Sequence, residues 1–103
     1  MIEEAQIISR DKLVVAARLL KVLAHPVKLD ILQLLGEENS MDVSSLCAHI
    51  GAECEISMMS HHLSKMRDNG VLESEKRGKQ VFYSVKNKSI LSLLDCIKRC
   101  DLI

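Results

Sequence analysis

The stretch Glu55–Val85, EISMMSHHLSKMRDNGVLESEKRGKQVFYSV, constrains the chain most, because it sets a helical period directly before a strand period. At about 100° per residue, Ile56, Met59, Leu63 and Met66 fall on one face with His62 at its edge, so that side is expected to meet a core. The opposite side carries Ser57, Ser60, His61, Ser64 and Lys65, short hydrogen-bonding groups suited to base edges and phosphates. Asn69-Gly70 is expected to end the helix, since glycine takes the left-handed position there without a Cβ clash. Val71-Leu72 and Val81–Val85 read as strands, with Arg77-Gly78-Lys79 as the turn between them. A helix followed by a hairpin with a basic tip is a way for a small domain to hold a helix in a DNA groove.

Upstream, Glu3–Ala24 reads as a helix that is apolar around too much of its circumference for one buried stripe: Leu13, Val14, Val15, Leu19, Leu20, Val22 and Leu23 cannot share one face. Such a helix needs two partners, the domain's own core and a second subunit. His25-Pro26 then punctuates the chain, because proline is tolerated at the first helical position and nowhere deeper. His25 is read as a boundary residue rather than a ligand. The next helix is expected to run to Leu35, burying Val27, Ile31, Leu34 and Leu35, and to stop at Gly36. After a polar loop, Asp42 is a natural N-cap for a short helix of Val43, Leu46, Cys47 and Ile50 ended by Gly51. The turn Ala52–Glu55 completes a helix-turn-helix. A last helix from about Lys88 places Ile90, Leu93, Leu94, Ile97 and Cys100 on one face.

Two segments carry a family resemblance. The run Ser57–Leu63, the Asn69–Leu72 exit and the Arg77–Val85 hairpin resemble the recognition helix and wing of the ArsR/SmtB family of repressors. Leu20–Leu32 resembles that family's second-helix signature, so the likeness covers roughly residues 13 to 100. It implies a fold that is mostly α with a small β-hairpin wing, a winged helix-turn-helix of order α-α-α-α-β-β-α. It also implies a homodimer joined through the first and last helices, although the turn before the recognition helix departs from the family pattern by being a couple of residues longer. The DNA-binding residues expected on this basis are Ser57, Met58, Ser60, His61 and Lys65 from the helix, with Lys76, Arg77, Lys79 and Gln80 from the wing. A dimer would present two such helices to a pseudo-palindromic operator, with half-sites about 34 Å apart.

Composition bounds the alternatives. A chain of 103 residues is expected to be one domain, residues 1–103, with a modest core that a symmetric dimer would enlarge. Net charge is zero but uneven. Glu37, Glu38, Asp42, Glu53 and Glu55 crowd one segment, whereas Lys65, Arg67, Lys76, Arg77, Lys79, Lys86 and Lys88 dominate the helix and wing, where phosphates would be met. Met1–Arg10 does not read as a signal peptide, and no run reaches the roughly 20 apolar residues of a membrane span, so a cytoplasmic protein without a membrane partner is expected. No Ser-His-Asp or Cys-His constellation and no glycine-rich phosphate loop suggests an enzyme. A winged helix that docks another protein through the same face is the competing reading, and the basic wing argues against it.

The remaining chemistry is cysteine. The family's Cys-x-Cys metalloid positions correspond to Asp42 and Ser44 here, and its Asp/His zinc site on the last helix retains Asp95 without a histidine, so the resemblance supports neither site. Cys47, Cys54, Cys96 and Cys100 remain, and in a reducing cytosol they suggest reactivity or metal binding more than a structural disulfide. Cys96 and Cys100, one helical turn apart beside Lys98 and Arg99, are the leading candidates for an oxidant or a thiophilic metal ion, the only cofactor the sequence suggests. Cys47 is expected to pack as a small hydrophobe. Cys54 is expected to be exposed between Glu53 and Glu55, in an acidic setting that raises its pKa, and is the weaker sensor candidate. The sum is a transcriptional repressor released from its operator by a small inducer, with a thiol-directed signal as the leading expectation.

Overall fold

A computed structural model of the chain describes residues 7–51 and 53–103. Helix α1 spans Arg10–Leu23, and Ser9 caps it by accepting from the Lys12 amide at 3.2 Å. The expected start at Glu3 is corrected in part. Ile7–Ser9 are not helical, because Ser9 is extended and takes up a free amide, while Glu3–Gln6 lie outside the described residues. His25 caps α2 (Pro26–Glu38), its Nδ1 accepting from the Val27 amide at 3.1 Å, with Pro26 in the first turn. This helix does not stop at Gly36. A Cβ at Gly36 would lie 3.3 Å from Leu91, so the missing side chain serves close packing, and the helix ends at Asn39, whose φ is 70°. Ile31, Leu32 and Leu35 are buried, whereas Val27 and Leu34 are half-buried.

Met41–Asp42 forms a short strand, β1, where the sequence suggests only loop and cap. Met41 pairs with Tyr83 and Asp42 with Phe82, making a three-stranded antiparallel sheet in the order β1-β3-β2. Two residues are too few to show a period, so the strand is visible only through its partner. Asp42 also caps α3 (Val43–Ile50), its Oδ1 accepting from the Ser45 amide at 3.0 Å, and Gly51 at φ 142° ends that helix. Helix α4 spans Ile56–Asp68. Strands β2 (Leu72–Arg77) and β3 (Gln80–Val85) pair from Leu72 with Val85 to Arg77 with Gln80. The connection is therefore Gly78-Lys79 alone, shorter than expected, with Gly78 at φ 64° supplying the left-handed position of a two-residue hairpin.

The C-terminal segment is two elements rather than one helix from Lys88. Asn87 caps a 3-10 turn over Lys88–Leu91, and α5 follows over Ser92–Arg99. Cys100 is the extended residue that ends α5, so it is not on the helix with Cys96.

The core lies between α2, α3, α4 and the base of the hairpin, with Leu32, Leu46, Met59, Leu63, Met66 and Leu72 almost wholly excluded from solvent. Three of the four apolar residues expected on the inner face of α4 are there; Ile56 is not, being 51 % exposed in the first turn beyond the edge of the core. Two helices border this core, with Leu19 of α1 and Leu93 and Leu94 of α5 packed against its edge. Leu23 is the one buried residue of α1, whose Leu13, Val14, Val15 and Leu20 are exposed, and α5 has no buried residue. Among the described residues, no helix is long and apolar enough to cross a membrane.

Candidate nucleic-acid interface and cysteine site

Seating Met59, Leu63 and Met66 in the core turns the other side of α4 outward. Ser57, Met58, His61 and Lys65 are exposed, and Ser60 is half-buried. The helix is thus polar outward and apolar inward, as its period requires. On the wing, Lys76 and Lys79 are exposed and make no ion pair among the described residues. Arg77 and Gln80 are placed differently. The Arg77 guanidinium stands 4.6 Å from the Phe82 ring centroid and 3.3 Å from Glu75 Oε2, so it stiffens the wing. Gln80 Nε2 donates to Asp42 Oδ2 at 2.8 Å and ties the hairpin base to the α3 cap. Ser45, through its hydroxyl and then its backbone N–H, holds the Asp42 carboxyl below the ordinary aspartate range despite its burial. One carboxylate therefore joins helix, strand and wing.

His62, expected at the edge of the core face, is half-buried and meets His25 with ring centroids 4.8 Å apart. Burial pushes its pKa down, and the nearby charges of His25, Lys28 and His61 push the same way. The neutral ring is thus the form that fits the α2–α4 junction. Because the folded value is depressed, its contribution to stability is fully present above the ordinary histidine value of about 6.5 and is lost as pH falls through the folded value. Urea midpoints should accordingly fall between about pH 7.5 and pH 5, and His62→Gln should flatten that slope. An equal slope in the variant would assign the acid sensitivity to other groups.

The cysteines depart from expectation. Cys47, in the last turn of α3, is 5 % exposed, as a packed hydrophobe would be, but it is disulfide-bonded to Cys54, with Cα atoms 5.5 Å apart. Cys54 is half-buried rather than an exposed thiol and does not titrate in this form. For this pair, the expectation of a packed Cys47 and an exposed Cys54 thiol rather than a disulfide is corrected. Gly51 folds the chain back so that the two positions meet across the turn. Their spacing around a helix-ending glycine was the signal available in the sequence. Cys96 and Cys100 are free, one exposed and the other half-buried. Among the described residues, no three His, Cys, Asp or Glu side chains converge as a metal site. Beside Cys54, a cavity of about 470 Å³ opens between the start of α2, the α3–α4 turn and the start of α4, lined by His25, Val27, Ile50, Met58 and His62 among others.

Against known proteins, the model described as "Bacterial regulatory protein, arsR family" matches residues 25–74, from the α2 cap into β2. The HTH-type transcriptional regulator YgaV of Escherichia coli strain K12 is 32 % identical over 83 residues, 81 % of this chain and 82 % of that one. The chain belongs to the ArsR family. A second relative, the transcriptional repressor PagR of Bacillus anthracis, is 33 % identical over 85 residues, 80 % of this chain and 83 % of its own. Among solved structures, HlyU from Vibrio cholerae N16961 superimposes with a TM-score of 0.77 at 25 % identity, covering 92 % of this chain and all of that one. This ArsR-family chain is thus a winged helix-turn-helix protein, with α3 and α4 as the helix-turn-helix and the β2–β3 hairpin as the wing.

Proposed function

We propose that this ArsR-family chain is a homodimeric transcriptional repressor that reads a pseudo-palindromic operator with α4 and is released from it by a signal directed at its cysteines. The observation that carries the reading is the division of α4. Its apolar residues Met59, Leu63 and Met66 are buried, Ser57, His61 and Lys65 are left on an outward face, and the wing's Lys76 and Lys79 are exposed as well. Ser57, Ser60 and His61 have the donors and acceptors to meet base edges or phosphates in a major groove, and Met58 offers an apolar surface to a thymine methyl. The wing lysines hold the adjacent backbone or minor groove. The repressor role of PagR supports the direction of regulation. The exposed apolar residues of α1, Leu13, Val14, Val15 and Leu20, support the dimer.

Binding of the chain to its own upstream DNA across a salt series tests this reading. Lys76→Ala with Lys79→Ala removes four cations per dimer, and the slope of log affinity against log salt should fall by up to roughly 3 to 4, at about 0.9 for each phosphate no longer neutralised. Affinity should drop to a similar degree on operator and on random duplex, because phosphate contacts carry no sequence information. An unchanged slope would remove the wing from the interface. Failure to bind any duplex at low salt would favour a protein-docking role for the same face.

A further inference from the structure

The geometry points to the Cys47–Cys54 pair as a reversible thiol–disulfide site for uncharged hydroperoxides, whose oxidised form fixes the DNA-reading end of α4. The inference rests on the DNA-binding reading for its consequence but not for its chemistry. Three observations carry it. The two sulfurs are bonded across a sequence separation of 7, so in the dithiol form each is confined near the other and ring closure is entropically cheap. Their surroundings differ: Cys47 is buried in the core, whereas Cys54 is half-buried and lines the cavity at the foot of α4. Finally, the bond closes where α4 is otherwise weakly held. Glu55 makes no side-chain capping bond, Ile56 and Met58 are about half exposed, and Met59 is the first residue of the helix seated in the core.

These placements assign the two sulfurs different parts. Cys54, reachable from the cavity, attacks as its thiolate the terminal oxygen of a hydroperoxide; the O–O bond breaks, the alkoxide takes up the proton the thiol gave up and leaves as the alcohol, and a sulfenic acid remains. The Cys47 sulfur then displaces the hydroxyl, which leaves as water with the thiol proton, and the S–S bond forms. Two thiols have lost two electrons to one peroxide. In the reverse direction an external dithiol attacks Cys54, Cys47 departs as the thiolate, and the reductant ends as its own disulfide. The cavity selects the reagent class. Val27, Ile50, Met58 and Met59 give it apolar walls, and the carboxylates of Glu53 and Glu55 on its lining disfavour anionic reagents. An apolar organic hydroperoxide should therefore oxidise the pair faster than the anionic disulfide of a small peptide thiol at equal concentration.

The functional consequence follows from preorganisation. A covalent tie from the last turn of α3 to the residue before the α4 cap removes freedom from the end of the recognition helix that enters DNA. The disulfide form should bind operator about 5- to 10-fold more tightly than the dithiol form, at the lower end of typical coupling between sites. Reduction of the pair is then the inducing event.

The test uses the full chain and the Cys96→Ser/Cys100→Ser variant, reduced and then treated with equimolar cumene hydroperoxide. Expected are loss of two hydrogens per chain, a Cys47–Cys54 cross-linked peptide in both proteins, slower backbone hydrogen exchange over residues 53–59, and the tighter operator binding stated above. Cys54→Ser should lose all four responses. Being less buried than Cys47, it is the milder variant, and the Cys96→Ser/Cys100→Ser protein carries the test should Cys54→Ser fold poorly. A cross-link confined to Cys96 or Cys100 overturns the site assignment, as does faster oxidation by glutathione disulfide the choice of reagent. Cross-linking with unchanged exchange, or with equal or weaker operator binding, overturns the switch. Absence of DNA binding in both redox forms would instead defeat the functional reading, because mass and exchange still report on the cysteine pair.

Discussion

Placing aspartate at Val15 and Leu20 should convert the chain to a monomer and lower its operator affinity by about 100- to 10,000-fold, the gain that two linked half-site contacts provide. These residues are 62 % and 51 % exposed on α1, and of that helix only Leu23 is buried. Exposed apolar residues spread around much of a helix, as Leu13, Val14, Val15 and Leu20 are here, mark an interaction site on a small protein. The single chain is also drawn out: its radius of gyration is 15.4 Å, against about 13 Å for a compact domain of this length. Neither Val15 nor Leu20 packs against the core cluster, so the substitutions should leave the stability of α2–α4 and the hairpin nearly unchanged. Sedimentation equilibrium and operator binding on the same samples check both halves of the expectation. A dimer that survives the two aspartates would move the interface away from α1, and α5, with its half-buried Leu93, Leu94 and Ile97, would be the next surface to probe.

The parts of this molecule legible in the sequence are those governed by local period and local backbone chemistry. Met59, Leu63 and Met66 share a face because the helix repeats every 3.6 residues, and Asp42 and Gly51 bracket α3 because an acceptor and a residue free to adopt positive φ are needed there. The misreadings share a different cause. Gly36 resembles a stop because glycine commonly is one, yet here it makes room for Leu91, a residue far along the chain. Strand β1 exists because Met41 and Asp42 find Tyr83 and Phe82, and nothing local announces it. Ile56 fits the period of the inner face but lies past the edge of the surface it would cover.

The candidate interface divides in the same way. Lys76 and Lys79 are as free as a sequence reading makes them, whereas Arg77 and Gln80 look equivalent to them in sequence and are engaged with Phe82, Glu75 and Asp42. Compartment and helical spacing favour Cys96 and Cys100 among the cysteines. Their structural roles depend instead on where the chain reverses, and that reversal at Gly51 joins the other two.

Leu63→Ala should cost about 2 to 5 kcal/mol, a large share of the roughly 5 to 15 kcal/mol that holds a domain together. Leu63 has no exposed surface and lies in the cluster that contains Leu32, Leu46, Met59 and Met66, so truncation leaves a cavity whose walls belong to several elements. Ile56→Ala, on the same nominal face, should cost no more than about 0.5 kcal/mol, because half of its surface already meets solvent. The contrast reads out how α4 is held: by its middle and end, with the first turn left for contact outside the domain. Urea unfolding of the two variants measures it directly. Operator affinity should separate them in the opposite order at low denaturant, since the folded fraction of Leu63→Ala keeps its outward face intact while Ile56→Ala alters the turn nearest the proposed groove. Comparable losses of stability would mean that the first turn is seated after all, and Cys54 would then have no loosely held helix end to tether.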